Sequence, residues 1–148
     1  MTKAKPVLKE KKKKTPAPRQ APKKPALQHV VWDSVELEQV NPLFMRQYVV
    51  GKNVMLARIF LRKGSLVPWH SHHNEQMSYI LEGAMTFWLD AGDKKEKEVV
   101  VRAGEVLIIP PNMLHKAEAT EDSLSLDIFD PPRADWINKT DDYLRKAK

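Results

Sequence analysis

From about residue 30 onward the chain alternates apolar and polar positions with a period of two, broken at short intervals by Gly, Pro, Asn or Asp. That period predicts strands, because successive side chains of an extended chain point to opposite faces. Residues 35–38 alternate as a half-buried strand ahead of a turn at Asn41-Pro42. Residues 44–50 and 54–61 follow, separated by Gly51-Lys52-Asn53. Residues 77–81 and 84–89 look like two strands joined through Glu82-Gly83, and Asp90-Ala91-Gly92-Asp93 reads as a hairpin turn. Residues 98–102, 106–109 and 115–119 continue the meander. Residues 123–129 then place Leu124, Leu126 and Ile128 on one face and Ser125, Asp127 and Phe129 on the other. Short strands spaced by turn signals, with no helical period between them, argue for an all-β fold closed as an antiparallel barrel or jelly roll. Only residues 134–147 depart from the period. Trp136, Ile137, Tyr143 and Leu144 lie there at roughly helical spacing, predicting a short C-terminal helix or irregular tail packed on the barrel.

Charge changes this picture at one end. The 148 residues carry 25 Lys or Arg against 19 Asp or Glu, a net charge of +6, but residues 1–28 hold ten of the basic residues and a single Glu. The remaining chain is therefore mildly acidic. A Lys/Pro/Ala segment of this kind repels itself and lacks apolar groups to offset its ordering entropy. Residues 1–28 are expected to form a disordered, solubilising tail, with weak nonspecific nucleic-acid contact as its functional alternative. Residues 29–148 are expected to form the single domain. The absence of cysteine excludes disulfides and thiolate ligands, so any metal must be held by imidazole, carboxylate or amide. No apolar run approaches the roughly 20 residues of a membrane span, and no apolar signal core follows the basic start. The expectation is a cytoplasmic protein with no membrane partner.

Three of the five histidines fall at positions 70, 72 and 73. On a strand His70 and His72 share a face, the arrangement by which two imidazoles meet one cation. A turn through His73-Asn74 lets the next strand complete the set, with Glu75 and Gln76 as candidates, and His115 supplies a further imidazole. Such donors suit a divalent ion such as Mn, Fe, Co, Ni or Zn. Asp127, a carboxylate on a face of the last strand, needs water, a partner or a function. Trp69 is out of parity with the histidines. Met45, Met55, Met77 and Met85 read as core filling.

Gly64, five residues, His70-Ser71-His72, three residues, Gln76, six residues and Gly83 resemble the first motif of the cupin superfamily. Gly104, five residues and Pro110-Pro111-Asn112-Met113-Leu114-His115 resemble the second. Gln76 stands where Glu is more frequent, Asn112 where Gly is, and Ala119 where Asn is. The resemblance implies a cupin jelly roll, or double-stranded β-helix, with His70, His72, Gln76 and His115 as metal ligands at its mouth. It leaves Glu75 outside the ligand set and His73 in the loop.

The segment Asp127-Ile128-Phe129-Asp130-Pro131-Pro132-Arg133-Ala134-Asp135-Trp136 is similar to the end of the barrel in pectin-degradation cupins of the KdgF type. Those proteins open the ring of 4,5-unsaturated uronates. The resemblance implies Asp127 as the acid/base residue, Phe129 as a substrate-positioning wall and Arg133 as a carboxylate-binding residue. The alternatives are an ion pair of Arg133 with Asp130 or Asp135, and a core role for Phe129. The expected protein is a metal-dependent isomerase of an unsaturated uronate-like sugar acid, acting as a homodimer. An Fe or Cu dioxygenase of a small molecule and a noncatalytic sugar- or effector-binding module are the other classes these residues allow.

Overall fold

In a computed structural model that describes residues 26–93 and 95–147, the period-two pattern resolves into ten strands. A 3-10 turn at Trp32–Ser34 precedes β1 (Glu38–Asn41), β2 (Phe44–Val50), β3 (Met55–Leu61), β4 (Leu66–His70) and β5 (Glu75–Glu82). Then come β6 (Ala84–Asp90), β7 (Glu96–Arg102), β8 (Val106–Ile109), β9 (Leu114–Ala119) and β10 (Ser123–Asp130), closed by helices α1 (Ala134–Ile137) and α2 (Asp142–Arg145). All pairings are antiparallel, in one six-stranded sheet of order β1-β2-β3-β10-β5-β8 and one four-stranded sheet of order β4-β9-β6-β7. The expected all-β jelly roll is thus the fold of the chain. Phe44, Met55, Ile59, Ile80, Phe87 and Ile109 meet in the core. Burying side chains of this size stabilises the domain by about 1.5–3 kcal/mol each.

The structure departs from the sequence expectations in three places, and on β10 it decides a facing that the sequence left open. The strand expected at 35–38 begins only at Glu38, because Gln47 Nε2 donates to the carbonyls of Trp32 and Val35 and holds that stretch as a turn (3.0 and 2.8 Å). Glu82-Gly83 does not close a hairpin. There the chain crosses from the six-stranded sheet to the four-stranded one. Gly83 has φ +79°, and a Cβ on it would run into the Asp122 carbonyl and Ser123 Oγ. On β10 the polar set turns inward: Ser125, Asp127 and Phe129 are buried while Ile128 is exposed. With Tyr79, Val106 and Ile108, also exposed, Ile128 gives the six-stranded sheet an apolar outer surface. Met55 and Met85 fill the core as expected, but Met45 and Met77 are only partly buried. Strand parity separates two faces without saying which one turns inward.

Both C-terminal helices are single turns, too short to stand alone. A charge cluster pins them to the β1–β2 hairpin. Arg46 and Asp141 have no exposed side-chain surface and meet at 2.7 Å, off the line of a hydrogen bond. Glu38 accepts from Arg46 (2.9 Å) and Arg145 (2.7 Å) and pairs with Lys139 (2.8 Å); Arg145 also bonds Asp141 (3.0 Å). Burial pushes Glu38 up, yet the bonds from Lys139, Arg145 and Arg46 outweigh it and hold the carboxyl down at about 2. Asn41 Nδ2 donates to the Leu144 carbonyl (2.9 Å), and the Arg46 guanidinium lies 4.3 Å over the Trp136 ring.

The basic tail expected over residues 1–28 lies outside the described residues for 1–25, and residues 26–28 are exposed and irregular. Among the described residues no helix is long and apolar enough to cross a membrane.

Removing one member of a buried ion pair leaves the other charge uncompensated, so Asp141→Ala is expected to lower the unfolding free energy by about 3–5 kcal/mol. Urea unfolding of the two proteins measures it, and a loss below about 1 kcal/mol would show that the cluster is not what fixes the C-terminal segment.

Candidate metal centre

The pairing of β4 with β9 sets His70 directly opposite His115. His115 alternates with Ala117 and Ala119 on the inward face of β9, so two small side chains leave room beside the imidazole. His72 follows two residues after His70, just past the end of β4, and Gln76 is the second residue of β5, buried and inward. The ring centroids of His70 and His115 are 4.2 Å apart, those of His72 and His115 5.1 Å, and those of His70 and His72 5.5 Å.

Each ring is oriented by its own backbone. Nδ1 of His70 lies 2.8 Å from the Pro68 carbonyl, Nδ1 of His72 3.0 Å from that of Asn74, and Nδ1 of His115 2.7 Å from that of Met113. A carbonyl only accepts, so each Nδ1 carries the proton and each Nε2 presents a lone pair. Burial, with the neighbouring positive groups, holds His70 down at about 3 and His72 at about 4, and burial takes His115 below its usual value. All three are therefore neutral at pH 7. One ligand atom from each can be chosen so that all lie within 4.8 Å of one another, and the three form a group that can hold a metal.

Gln76 fits the same site. Its Nε2 donates to Ser78 Oγ and to Asp127 Oδ2, both at 2.9 Å, which turns Oε1 toward His72 Nε2 at 3.1 Å. With His72 neutral and protonated on Nδ1, two lone pairs face each other there. A shared cation reconciles them. His115 Nε2 is likewise buried with no hydrogen-bond partner. A lone-pair set of three imidazoles and one amide oxygen suits a divalent first-row ion.

Asp127 lies between Ala57 of β3 and Ser78 of β5 in the register of the six-stranded sheet. Its oxygens accept from Ser125 Oγ and from Gln76 Nε2. Burial raises its carboxyl to about 6, against the opposing pull of Ser125, Ser78 and Gln76. Phe129, also buried, stands edge-on to Trp136 at 5.1 Å and to His72 at 5.9 Å. Arg133 is buried, and its Nε and Nη2 bond both oxygens of Asp135 (2.9 and 2.8 Å). Of the two ion pairs weighed from sequence, the one with Asp135 forms. Arg133 Nη2 also donates to the Tyr143 hydroxyl at 2.7 Å.

His70, Gln76, His115, Asp127, Phe129 and Arg133 thus line one cavity of about 40 Å³, with His72 beside it. Glu75 and His73 are exposed, outside the cluster. Two residues given no role from sequence belong to this cavity. Tyr143 stacks on His70 (4.7 Å between centroids, 26° between planes), and Trp136 lines the same space. Their spacing suggested only a packed helix, because nothing local to residues 134–147 shows that α2 folds back over β4.

Two antiparallel sheets that enclose an inward cluster of histidines contributed by β4, β9 and the turn between β4 and β5 define a cupin centre. A cupin-domain family model matches residues 58–130, and the chain belongs to the cupin superfamily. Its fold is similar to that of KdgF from Halomonas sp., with a TM-score of 0.67 and 23% identity over 75% of this chain and 99% of that one. It is similar also to an RmlC-like cupin from Shewanella frigidimarina NCIMB 400, with a TM-score of 0.66 and 25% identity over 75% and 96% of the two chains. Among curated proteins, a germin-like protein from Ipomoea nil is 30% identical over 84 residues, covering 55% of this chain and 39% of that protein. The auxin-binding protein ABP19b from Prunus persica is 28% identical over 79 residues, covering 51% and 38%. The chain spans about two fifths of the length of these curated relatives.

The depressed histidines make a calorimetric prediction. At pH 6, three imidazoles of ordinary pKa would release about two protons on binding Co²⁺. Here His70 and His72 are already neutral and release almost none, and Asp127 contributes at most about half a proton, so the total falls well below two. Titrations in two buffers of different ionisation heat measure the number, and a release of about two protons would contradict the neutral cluster.

Proposed function

We propose that this domain is a metal-dependent isomerase that opens the ring of an unsaturated uronate-like sugar acid. The observation that carries the reading is Asp127, a buried carboxyl held at about 6 and hydrogen-bonded to the amide whose oxygen faces His72. A group that titrates close to neutrality can both accept and return a proton. Support comes from the fold likeness to KdgF from Halomonas sp. and from the KdgF-like motif that contains Asp127, Phe129 and Arg133.

In this reading His70, His72, His115 and Gln76 hold the ion, which when bound polarises sugar oxygens as a Lewis acid. Asp127 removes the proton of the C1 hydroxyl as the bond between C1 and the ring oxygen breaks, and returns it to the ring oxygen, which leaves as an enol. It then serves the tautomerisation, in which the enol oxygen loses a proton and C4 gains one. No electrons are exchanged with a partner. Arg133 attracts the substrate carboxylate with the part of its guanidinium that Asp135 leaves free, since the Nε and Nη2 edge is engaged. Phe129 walls the space beside His72. A cavity of about 40 Å³ holds a few waters, whereas small-molecule sites usually measure about 300–1,000 Å³.

Asp127→Asn keeps the shape of the side chain and removes the titrating group. It is expected to retain metal and fold while turnover falls about 10²–10⁴-fold. The assay is the loss of the unsaturated-uronate absorbance with metal-loaded protein. An active Asp127→Asn variant would remove Asp127 from the mechanism. Oxygen uptake by the Fe(II)-loaded protein, with the uronate absorbance unchanged, would favour the dioxygenase class instead.

A further inference from the structure

The wall of the cavity that faces the histidines is built from Arg133, Trp136 and Tyr143. Its hydrogen-bonding capacity is one-sided. Arg133 has donors and no acceptor, and the Trp136 indole has a single N–H. That N–H is buried and has no hydrogen-bond partner. Burial raises the Tyr143 phenol, against the opposing pull of Arg133 and, last, of this indole, although the indole and the hydroxyl do not meet in hydrogen-bond geometry.

Tyr143 is the only one of the three with lone pairs, and one of them is already engaged by Arg133. Arg133 Nη2 donates to its oxygen at 2.7 Å, and the indole N–H stands nearby. A hydroxyl carries one proton besides its two lone pairs, and among the described residues no acceptor takes the proton of Tyr143. The ring is fixed by stacking on His70 at 4.7 Å, and the backbone behind it by the bond from Asn41 Nδ2 to the Leu144 carbonyl. The hydroxyl is therefore held in place with a donor to spare, beside an orphaned indole N–H.

A wall with donors in excess matches a ligand group that only accepts. On this wall a sugar hydroxyl would bring a proton of its own with a single Tyr143 lone pair to meet it, whereas an ionised carboxylate has acceptor sites alone.

We propose that Tyr143 is the specificity-determining donor for a carboxylate of the ligand, its hydroxyl oriented by Arg133 and Trp136 so that the proton faces the cavity. This rests on the reading of the cavity as a sugar-acid site and assigns the selection of acid over neutral sugar to the C-terminal helix. The acid displaces nothing that the histidines need. It takes up the unused proton of Tyr143 and the free N–H of Trp136.

The test compares D-galacturonate with D-galactose, neither of which can undergo the proposed ring opening of an unsaturated sugar, by calorimetric titration of the Zn²⁺-loaded full chain and of its Tyr143→Phe variant. Phenylalanine keeps the ring over His70 and removes only the hydroxyl. The parent is expected to bind the acid more tightly than the neutral sugar. Tyr143→Phe is expected to cut that ratio by about tenfold or more, the scale of one hydrogen bond to a charged group, with galactose affinity, metal content and melting temperature unchanged. An acid preference that depends on Tyr143 in this way supports the inference even in a chain that fails to turn over unsaturated uronates. A parent with no acid preference overturns it. So does a ratio unchanged in Tyr143→Phe, which would assign the preference to the metal or Arg133, and so does an equal loss for both sugars, the mark of a structural role.

Discussion

Four lone pairs converge in this domain without a proton among them, and much of the architecture serves to keep them there. Neutral imidazoles and an amide oxygen do not gather by attraction. His72 Nε2 and Gln76 Oε1 face each other at 3.1 Å, an arrangement that costs free energy until a cation lies between them. The backbone carbonyls of Pro68, Asn74 and Met113 fix the three tautomers, and Asp127 with Ser78 fixes the amide. Pro68 sits on a strand of one sheet, Ser78 and Asp127 on strands of the other, and Asn74 and Met113 just ahead of β5 and β9, so the geometry stands only while the sandwich is closed. A metal held by this group would be coupled to folding through this constraint, as expected when a site is assembled by the fold itself.

The second support of the site lies at the C-terminus. The cluster of Arg46, Asp141, Glu38, Arg145 and Lys139 holds two helices of one turn each against the β1–β2 hairpin, and those helices carry Trp136 and Tyr143 to the cavity. A buried ion cluster is a weak source of stability compared with apolar packing of the same volume, but it specifies one position. Here it specifies where the helices sit. The cavity is smaller than a sugar ring requires, and the segment that narrows it is attached by these charges together with the buried Trp136 and Leu144. The same attachment therefore governs both the stability of the segment and the room available to a ligand.

What could be read along the chain was what depends on local period and spacing. The bounds of β2 follow from its pattern and flanking turns, and those of β8 from a short apolar run closed by Pro110-Pro111. His70 and His72 were legible as a pair two residues apart, although His72 lies just past the end of β4, whereas period alone left Glu75 and Gln76 both open and the choice of Gln76, the buried one, came from the spacing of the cupin motif. Other features depended on contacts between distant segments. Parity divided β10 into two faces, yet Ser125 and Asp127 face inward and Ile128 outward only because the neighbours β3 and β5 turn the same way. The crossing at Gly83 looked like a hairpin because a turn signal does not state which sheet the next strand joins. Arg133 is engaged by Asp135 two residues away, as one of its alternatives held, but its bond to Tyr143 spans ten residues and a change of direction that no periodicity encodes.

The central claim is that His70, His72, His115 and Gln76 form a single ligand set for one divalent ion. X-ray absorption at the cobalt edge of the Co²⁺-loaded full chain tests it most directly, since imidazole rings give a multiple-scattering signature that can be counted and oxygen ligands fill the rest of the shell. The account predicts three imidazoles and a remaining shell of oxygen, with the Gln76→Ala variant keeping the three imidazoles while its oxygen shell and affinity change. A shell with fewer than three imidazoles, or a spectrum and affinity unaltered by loss of Gln76, would contradict it.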